Sequence, residues 1–344
     1  MFTRTVFSVL FIFIMLWSSV SAQQSVAARN RYKVAKNMFT QARYEDAEKE
    51  LTESLKLDGR YSDALFLMGL TKWQLKQHDE AIKYFEQVIR QEPKYYTARL
   101  YLATVCLENG NVSRAEDQVK FYMQNQPSEP DGYYAMGVIH YKNGDLPKAI
   151  ELWEKALSVD NNHASSWCNK GLSLYLLGKK DEALASIEKA LSIKTANTNL
   201  YRFIRGCINY DTGTKDEAFK DLKYLAELIP ATTIGLTSSA IILAEEQKWD
   251  EALEKANSAL KIEPLFQKAL EIKAVCLEHK EDLDGAINCL DTILKHDDNQ
   301  KQIATKKDNL KVKPSDTENN TVNDTKNDTE NNIENNTENN EKGR

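Results

Sequence analysis

The residue types that most often carry chemistry are scattered along this chain and form no catalytic motif. The five histidines follow none of the spacings of a metal site such as H-E-x-x-H, and no serine lies in a G-x-S-x-G context. No glycine-rich loop of the phosphate-binding type occurs. Carboxylates are abundant, but they recur at regular intervals, which is typical of a solvated surface. The sequence therefore predicts no catalytic residue, no metal site and no cofactor, and we expect that the chain is not an enzyme.

The cysteines form an odd, widely spaced set without a C-x-x-C motif, so they do not indicate a disulfide framework. They are Cys106, Cys168, Cys207, Cys276 and Cys289. We interpret them as small apolar core residues. Because Cys276 and Cys289 fall on the two helices of one predicted repeat, a disulfide between them in an oxidising compartment is the alternative.

The regular carboxylates belong to a repeated segment. Lys180–Leu184, with sequence KDEAL, has an acidic pair followed by alanine, and copies of this pattern recur along the chain. Successive marker alanines are 34 residues apart, with one interval of 35. They are Ala47, Ala81, Ala115, Ala149, Ala183, Ala218, Ala252 and Ala286. A period held for this long indicates stacked repeats that share one continuous core rather than separate compact domains.

Each repeat has the pattern of two helices joined by a tight turn. When the marker alanine is counted as the twentieth residue, apolar or small residues fall at the fourth, seventh, eighth and eleventh places, which is the spacing of a helix face. Small residues at the eighth and twentieth places let the two helices approach closely, beside larger residues four places after the alanine. Those larger residues are Phe85, Trp153, Ile187 and Leu222. Glycines at the fifteenth place favour a left-handed turn: Gly110, Gly144, Gly178 and Gly213.

These residues resemble the signature of tetratricopeptide repeat proteins, which runs aromatic, L, G, Y, A, F, A and P over about 34 residues. Trp167, Gly171, Ala183 and Ala190 match it in the fifth repeat. The resemblance covers about residues 28 to 300 and implies an all-α fold, a right-handed superhelical α-solenoid of about eight helix-turn-helix repeats. Arg205 and the inserted Thr198 depart from the pattern, as do Ala35, Ser54 and Gly59 in the first repeat. We expect less regular packing in the first and sixth repeats.

The two ends of the chain differ in composition from the repeats. A short, positively charged lead, the apolar stretch Val6–Trp17 and the small residues before Ala22 predict a signal peptide over 1–22, cleaved after Ala22. The Asn/Glu/Thr-rich end has almost no apolar residue, which predicts a disordered tail over 313–344. We predict eight repeats within 23–300 and a capping helix over 301–312. The repeats are 28–61, 62–95, 96–129, 130–163, 164–197, 199–232, 233–266 and 267–300.

The predicted signal peptide indicates an extracytoplasmic protein, either periplasmic or secreted. The alternative is a membrane-anchored protein in which the N-terminal segment is not cleaved. The formal net charge of -6, without a Lys/Arg cluster that recurs on one face, predicts no nucleic-acid partner.

The resemblance also implies a concave groove lined by the first helix of each repeat, chiefly at the second, fifth, ninth, twelfth and thirteenth places. In this chain those places are largely apolar, and an aromatic, weakly charged groove suits an apolar peptide or an amphipathic helix. The candidate groove residues are Phe39, Phe66, Trp73, Tyr134, Tyr141, Tyr175, Phe203 and Tyr210. The alternative role of these rings is packing against the next repeat.

Two functions follow from these features. The first is a non-catalytic scaffold that binds a protein or peptide in the groove. The alternative is a structural protein that self-assembles into a head-to-tail homo-oligomer, because an open array of repeats has two ends that can stack.

Overall fold

A computed structural model of the protein describes residues 23–195, 197–296 and 301–312. These residues form 17 helices and contain no strand. The predicted signal peptide and the predicted tail lie outside the described residues.

The helices follow one another with short connections. Residues 23–40 form α1. The others are α2 (Tyr44–Leu57), α3 (Ser62–Gln74), α4 (His78–Gln91), α5 (Tyr96–Glu108), α6 (Val112–Asn125), α7 (Pro130–Lys142), α8 (Leu146–Val159), α9 (Ala164–Leu176), α10 (Lys180–Ser192), α11 (Thr198–Asp211), α12 (Lys215–Leu228), α13 (Thr233–Glu245), α14 (Trp249–Ile262), α15 (Gln267–His279), α16 (Leu283–His296) and α17 (Lys301–Val312).

Two compact bodies divide the chain, one ending at Thr195 and the other beginning at Ala196. The N-terminal body contains α1 to α10, and the C-terminal body contains α11 to α17. In both, the two helices of a repeat pack as a hairpin, and the second helix then packs against the first helix of the next repeat. This alternation is an α-solenoid arrangement, so the predicted all-α solenoid class is confirmed.

The small residues predicted at the helix crossings lie where two helices touch. All eight marker alanines are completely buried. At the eighth place, a Cβ added to Gly137 would lie 2.4 Å from Trp153 Nε1, and one added to Gly69 would lie 2.7 Å from the ring of Phe85. A Cβ atom does not make contacts this short, so glycine lets the large side chain of the second helix fit against the first helix. The predicted packing role of the larger residues is confirmed.

The turn inside each hairpin has the same backbone conformation in all eight repeats. The four glycines at the fifteenth place have φ between 76° and 84°. The other four repeats have a residue with a side chain at this place, with φ between 58° and 63°: Ala42, Lys76, Gln247 and Glu281. The left-handed conformation costs about 1–2 kcal/mol for such residues. Hairpin packing therefore sets the turn, and glycine is the residue that accommodates it with the least strain.

The sixth repeat keeps its hairpin in spite of the unusual Arg205. The Asp221 carboxylate of α12 is 2% exposed, and it accepts two hydrogen bonds from Arg205, at 2.7 and 2.9 Å. Arg202 Nη1 donates a third, at 3.0 Å. The buried carboxylate is thus satisfied by two guanidinium groups. Thr198, inserted between repeats, is the first residue of α11.

The first repeat and the C-terminal helix also have specific contacts. Ser54, which replaces the second alanine of the pattern, is buried and donates to the Ala28 carbonyl at 2.8 Å. Helix α17 packs on α16, where Ile303 and Leu310 join a core cluster with Leu290.

The five cysteines are free thiols. Cys106, Cys168, Cys276 and Cys289 are buried, and Cys207 is half-buried. Burial raises the pKa of Cys106 and of Cys276 to about 11, so both are protonated at neutral pH. The interpretation as core residues is confirmed for the four buried cysteines, and Cys276 and Cys289 are not bonded to each other.

Candidate functional site

A serine, a histidine and an aspartate lie close together in the N-terminal body, but their arrangement is that of a helix cap. His163 Nδ1 lies 2.7 Å from Ser166 Oγ, and His163 Nε2 lies 3.3 Å from Asp131 Oδ1. His163 immediately precedes α9, and its Nδ1 also accepts the Ser166 backbone N–H at 3.3 Å. Because Ser166 has no exposed surface, a substrate does not reach its hydroxyl.

Metal binding and membrane spanning find no support in the part of the chain that the structure describes. Over that part, no three His, Cys, Asp or Glu side chains are grouped so that they could hold a metal ion. None of its helices combines the length and the apolar character needed to cross a bilayer. The candidate site predicted from the sequence is a surface formed by the first helices of the repeats.

Within each body, the first helices of successive repeats contact one another: α5 with α7, α7 with α9, α11 with α13, and α13 with α15. We call the surface formed by the first helices of the repeats the first-helix face; these helices are α1, α3, α5, α7 and α9 in the N-terminal body and α11, α13 and α15 in the C-terminal body. The predicted groove residues lie on these helices, and the groove itself stays a prediction.

In the N-terminal body, four aromatic side chains on this face and in the loop before α5 form a row of ring contacts through Phe66 and Tyr101. The ring centroid of Phe66 lies 5.1 Å from that of Tyr95 and 5.4 Å from that of Tyr101. Trp73 lies 5.9 Å from Tyr101. All four rings are half-buried. Contacts of this kind contribute about 0.5–1.5 kcal/mol per pair beyond the buried area, so they hold the rings in place while part of each ring stays accessible. The sequence did not indicate Tyr95 or Tyr101 as part of the site.

Polar contacts between successive repeats position two of the predicted groove residues. Trp73 Nε1 donates to Glu108 Oε2 at 2.7 Å. Asn169 Nδ2 donates to Tyr134 Oη at 3.3 Å, and the ring of Tyr134 lies 5.2 Å from that of His163. Both rings therefore pack between repeats while they remain half-buried.

The other predicted groove residues of this body are also half-buried. Tyr141 lies 6.1 Å from Trp153, and Phe39 lies 5.3 Å from Tyr44, measured between ring centroids. Tyr175 follows on α9. Partial burial is compatible with both predicted roles, packing and ligand contact, so binding by these residues stays a prediction.

The two predicted groove residues of the C-terminal body differ from each other. Phe203 is 4% exposed and packs against Phe266, in the loop before α15, with 5.7 Å between ring centroids. We therefore remove Phe203 from the candidate groove, because Phe266 helps to cover it. Tyr210 is half-buried and donates to Glu245 Oε2 at 3.2 Å. Burial, together with the charge of Glu245, raises the pKa of Tyr210 to about 12.

An ion network occupies the first-helix face of the C-terminal body. Lys268 Nζ donates to both carboxylate oxygens of Asp211 at 2.8 Å and to Glu271 Oε2 at 3.0 Å. The Lys268 side chain is 14% exposed. Burial by itself would lower the pKa of Lys268, but the carboxylates of Glu271 and Asp211 outweigh burial and raise it. The network joins α11 to α15, the first helices of the sixth and eighth repeats.

The expectation of a largely apolar groove is therefore wrong for the eighth repeat of the C-terminal body. Lys268 and Glu271 occupy the second and fifth places of the eighth repeat, and Asp211 occupies the thirteenth place of the sixth. These are places that the resemblance assigns to the groove. Mapping the charged residues at those places as well as the apolar ones would have revealed the network.

Comparison with protein families gives four matches, each to a model described as tetratricopeptide repeat. They cover residues 72–139, 130–163, 164–197 and 239–299. Together these matches span more than half of the 344 residues and include parts of both bodies.

Curated relatives match over part of their length. TPR repeat-containing protein MJ1428 of Methanocaldococcus jannaschii is 23% identical over 263 residues, which are 72% of this chain and 45% of that protein. DnaJ homolog subfamily C member 7 of Homo sapiens is 26% identical over 207 residues, 58% of this chain and 37% of that protein. The chain thus spans less than half the length of these relatives. A match to the human protein O-mannosyl-transferase TMTC3, 25% identical, covers only 16% of that protein.

Solved structures show the same fold. A tetratricopeptide repeat protein from Parabacteroides merdae has a TM-score of 0.56 and 13% sequence identity, over 73% of this chain and 99% of that chain. The APC/C hetero-tetramer Cut9-Hcn1 has a TM-score of 0.54, also with 13% identity, over 83% of this chain and 70% of that chain. At these identities the similarity is evidence of fold alone.

Proposed function

The chain belongs to the tetratricopeptide repeat family, and from that premise we propose that it is a non-catalytic scaffold for protein–protein interaction. The ligand in this proposal is an apolar peptide or an amphipathic helix, bound on the first-helix face of the N-terminal body.

The contact of Phe66, Trp73, Tyr95 and Tyr101 is the observation that carries this proposal. Binding energy at protein interfaces is concentrated in a few aromatic anchors that lose their water on binding. Rings that already contact one another lose little conformational entropy when a ligand covers them. Tyr134, Tyr141 and Tyr175 extend the aromatic surface along α7 and α9, which gives an elongated ligand several points of contact.

The C-terminal body is a poorer candidate for the same ligand. Phe203 is covered there, and Lys268, Asp211 and Glu271 are bonded to one another. An apolar ligand on this face would have to displace or desolvate charged groups without replacing their hydrogen bonds, which is unfavourable.

Affinity capture with the full chain tests the proposed surface. The wild type, a Tyr134→Ala/Tyr141→Ala/Tyr175→Ala variant and a control Tyr224→Ala variant are used as bait in extract of the native host. Tyr224 is an exposed tyrosine of the C-terminal body, 44% exposed. We expect partners that the wild type and the control recover equally and that the triple variant loses. Equal recovery by all three, with unchanged circular dichroism, would exclude Tyr134, Tyr141 and Tyr175 as contacts of the partner and contradict the proposed elongated surface.

We also propose an extracytoplasmic location, and the predicted signal peptide over 1–22 supports it. N-terminal sequencing of the protein purified from its host tests this proposal. A mature chain that starts at Gln23 is the expected result. An intact Met1 in the membrane fraction would favour an uncleaved anchor, and an intact Met1 in the cytoplasmic fraction would contradict the proposal.

A further inference from the structure

A cavity of about 420 Å³ lies in the N-terminal body, where the loops that precede and follow the third repeat meet the end of α6. Its lining includes three tyrosines, two glutamates and one lysine: Tyr95, Tyr96, Tyr122, Glu92, Glu129 and Lys94. None of these belongs to the predicted groove residues. Cavities of this size are typical of sites for small groups.

The hydroxyl of Tyr122 indicates that the cavity receives a polar ligand. Tyr122 is 6% exposed, and in the described part of the chain its hydroxyl has no hydrogen-bond partner. The ring is held by Tyr96, with the two centroids 6.3 Å apart and an interplanar angle of 86°. The hydroxyl itself is not fully buried, because Tyr122 lines the cavity, and a group that enters the cavity can therefore bond to it.

The charges around the cavity indicate the sign of that group. The carboxylates of Glu92 and Glu129 make no ion pair with any residue that the structure describes, including the neighbouring Lys94. Burial, together with the negative charges of Asp131 and Glu129, raises the pKa of Tyr122 to about 12. Two carboxylates against the one ammonium group of Lys94 give the lining a net negative charge, and the faces of tyrosine rings also attract cations.

We propose that this cavity binds a basic side chain of a partner polypeptide, either the ammonium group of lysine or the guanidinium group of arginine. The carboxylates of Glu92 and Glu129 supply the charge, and the Tyr122 hydroxyl accepts one N–H hydrogen bond. The tyrosine rings cover the aliphatic stem. Tyr95 also belongs to the aromatic cluster of the proposed function, but Glu92, Glu129, Tyr96 and Tyr122 do not. Substitutions of these four residues therefore distinguish failure of this site from failure of the proposed function.

Small probes test the sign and the chemistry of the site. The full chain, labelled with 13C in its tyrosine rings, is titrated with the N-acetyl, N-methylamide derivatives of lysine, arginine, glutamine and glutamate. Tyr96→Phe and Tyr122→Phe variants assign the two resonances. We expect both resonances to shift with the lysine and arginine probes and to stay in place with the neutral and anionic probes. The basic probe that binds with the higher affinity identifies the preferred side chain. No shift with either basic probe, or a shift with the glutamate probe alone, would overturn the proposal.

Substitutions test which side chains hold the cation. A Glu92→Gln/Glu129→Gln variant is expected to weaken binding of the basic probes about tenfold, as the loss of two ion pairs implies. Glu188→Gln is the matched control, because Glu188 is also exposed and has no ion pair within the described chain, and it should bind as the wild type does. Lys94→Ala should strengthen binding, because it removes a like charge. Weaker binding by Lys94→Ala, or an unchanged affinity in the double variant, would show that the site does not bind cations as proposed.

Discussion

The first-helix faces of the two bodies are built on the same repeat but present different chemistry. In the N-terminal body, half-buried rings of Phe66, Trp73 and Tyr101 contact one another and keep part of their surface accessible. In the C-terminal body, Lys268 and Asp211 join the first helices of the sixth and eighth repeats. The first helices of the repeat thus carry an aromatic surface in one body and an internal ion network in the other.

The difference separates two tasks that one repeat performs. The eighth, fifteenth and twentieth places fix how the two helices of a hairpin meet, and they have the same role in both bodies. Other places on the first helix determine what the face offers to a ligand, and the fifth place, with Phe66 in one body and Glu271 in the other, is one at which the bodies diverge. A binding site therefore depends on the side chains that decorate the repeat and not on the repeat itself.

The largest effect is expected from breaking the ion network of the C-terminal body. Lys268→Met leaves Asp211 and Glu271 without their shared cation, and loss of one partner of a mostly buried pair costs about 3–5 kcal/mol. We expect faster hydrogen exchange in α11 and α15 and a lower melting temperature. Lys261→Met is the control, because Lys261 is exposed and makes no ion pair with the described residues. Equal effects of the two substitutions would show that the network contributes little.

The packing at the eighth place is expected to give the next largest effect, and it differs between the bodies. A Cβ on Gly137 would lie 2.4 Å from Trp153 Nε1, whereas a Cβ on Gly206 would lie 3.2 Å from the nearest atom of Leu222. Gly137→Ala should lower the free energy of unfolding by about 2 kcal/mol, within the range for overpacked cores. Gly206→Ala should cost less than about 1 kcal/mol, because alanine also favours the helix. Chemical denaturation followed by tryptophan fluorescence measures both, and a larger loss at Gly206 would contradict this account.

A smaller effect is expected from a hydrogen bond that the two bodies share. Trp73 and Tyr210 occupy the twelfth place, and each donates to a glutamate at the thirteenth place of the next repeat, Glu108 or Glu245. Glu108→Ala and Tyr210→Phe should each cost about 1 kcal/mol or less. Tyr210→Phe should also remove one tyrosine that ionises near pH 12, seen as a smaller ultraviolet absorbance change at high pH. If Tyr210→Phe instead removed an absorbance step near pH 10, this result would show that Tyr210 is not held by Glu245.

The smallest effect is expected at the turn. Lys76 in the N-terminal body and Gln247 in the C-terminal body have the left-handed conformation, with φ 61° and 60°, although each carries a side chain. Lys76→Gly and Gln247→Gly remove the strain of this conformation. Each should raise the free energy of unfolding by about 0.5–1 kcal/mol, the gain from strain relief less the added entropy of the unfolded chain. Gly110→Ala is the reverse change and should destabilise by a similar amount. Thermal melts of the three variants measure these shifts, and destabilisation by all three would contradict the common turn.

The framework was predictable from the sequence because its determinants are local and repeat. Ala183 and its seven equivalents, the glycines at the fifteenth place and the partners of the glycines at the eighth place all have the predicted role. The face was less predictable, because its character depends on contacts between repeats. Tyr101 contacts Phe66 from a place in the repeat that was not assigned to the groove. Phe266 covers Phe203 from a loop that is distant in sequence. Lys268 donates to Asp211, which lies two repeats earlier in the chain. No period in the sequence encodes such pairs.

Hydrogen exchange of the full chain, with and without a partner recovered by affinity capture, tests most directly where that partner binds. Binding on the aromatic face of the N-terminal body predicts slower exchange in α3, α5, α7 and α9 in the complex, with α11, α13 and α15 unchanged. Protection confined to α11, α13 and α15 would place the partner on the ion network of the C-terminal body and contradict the proposed site.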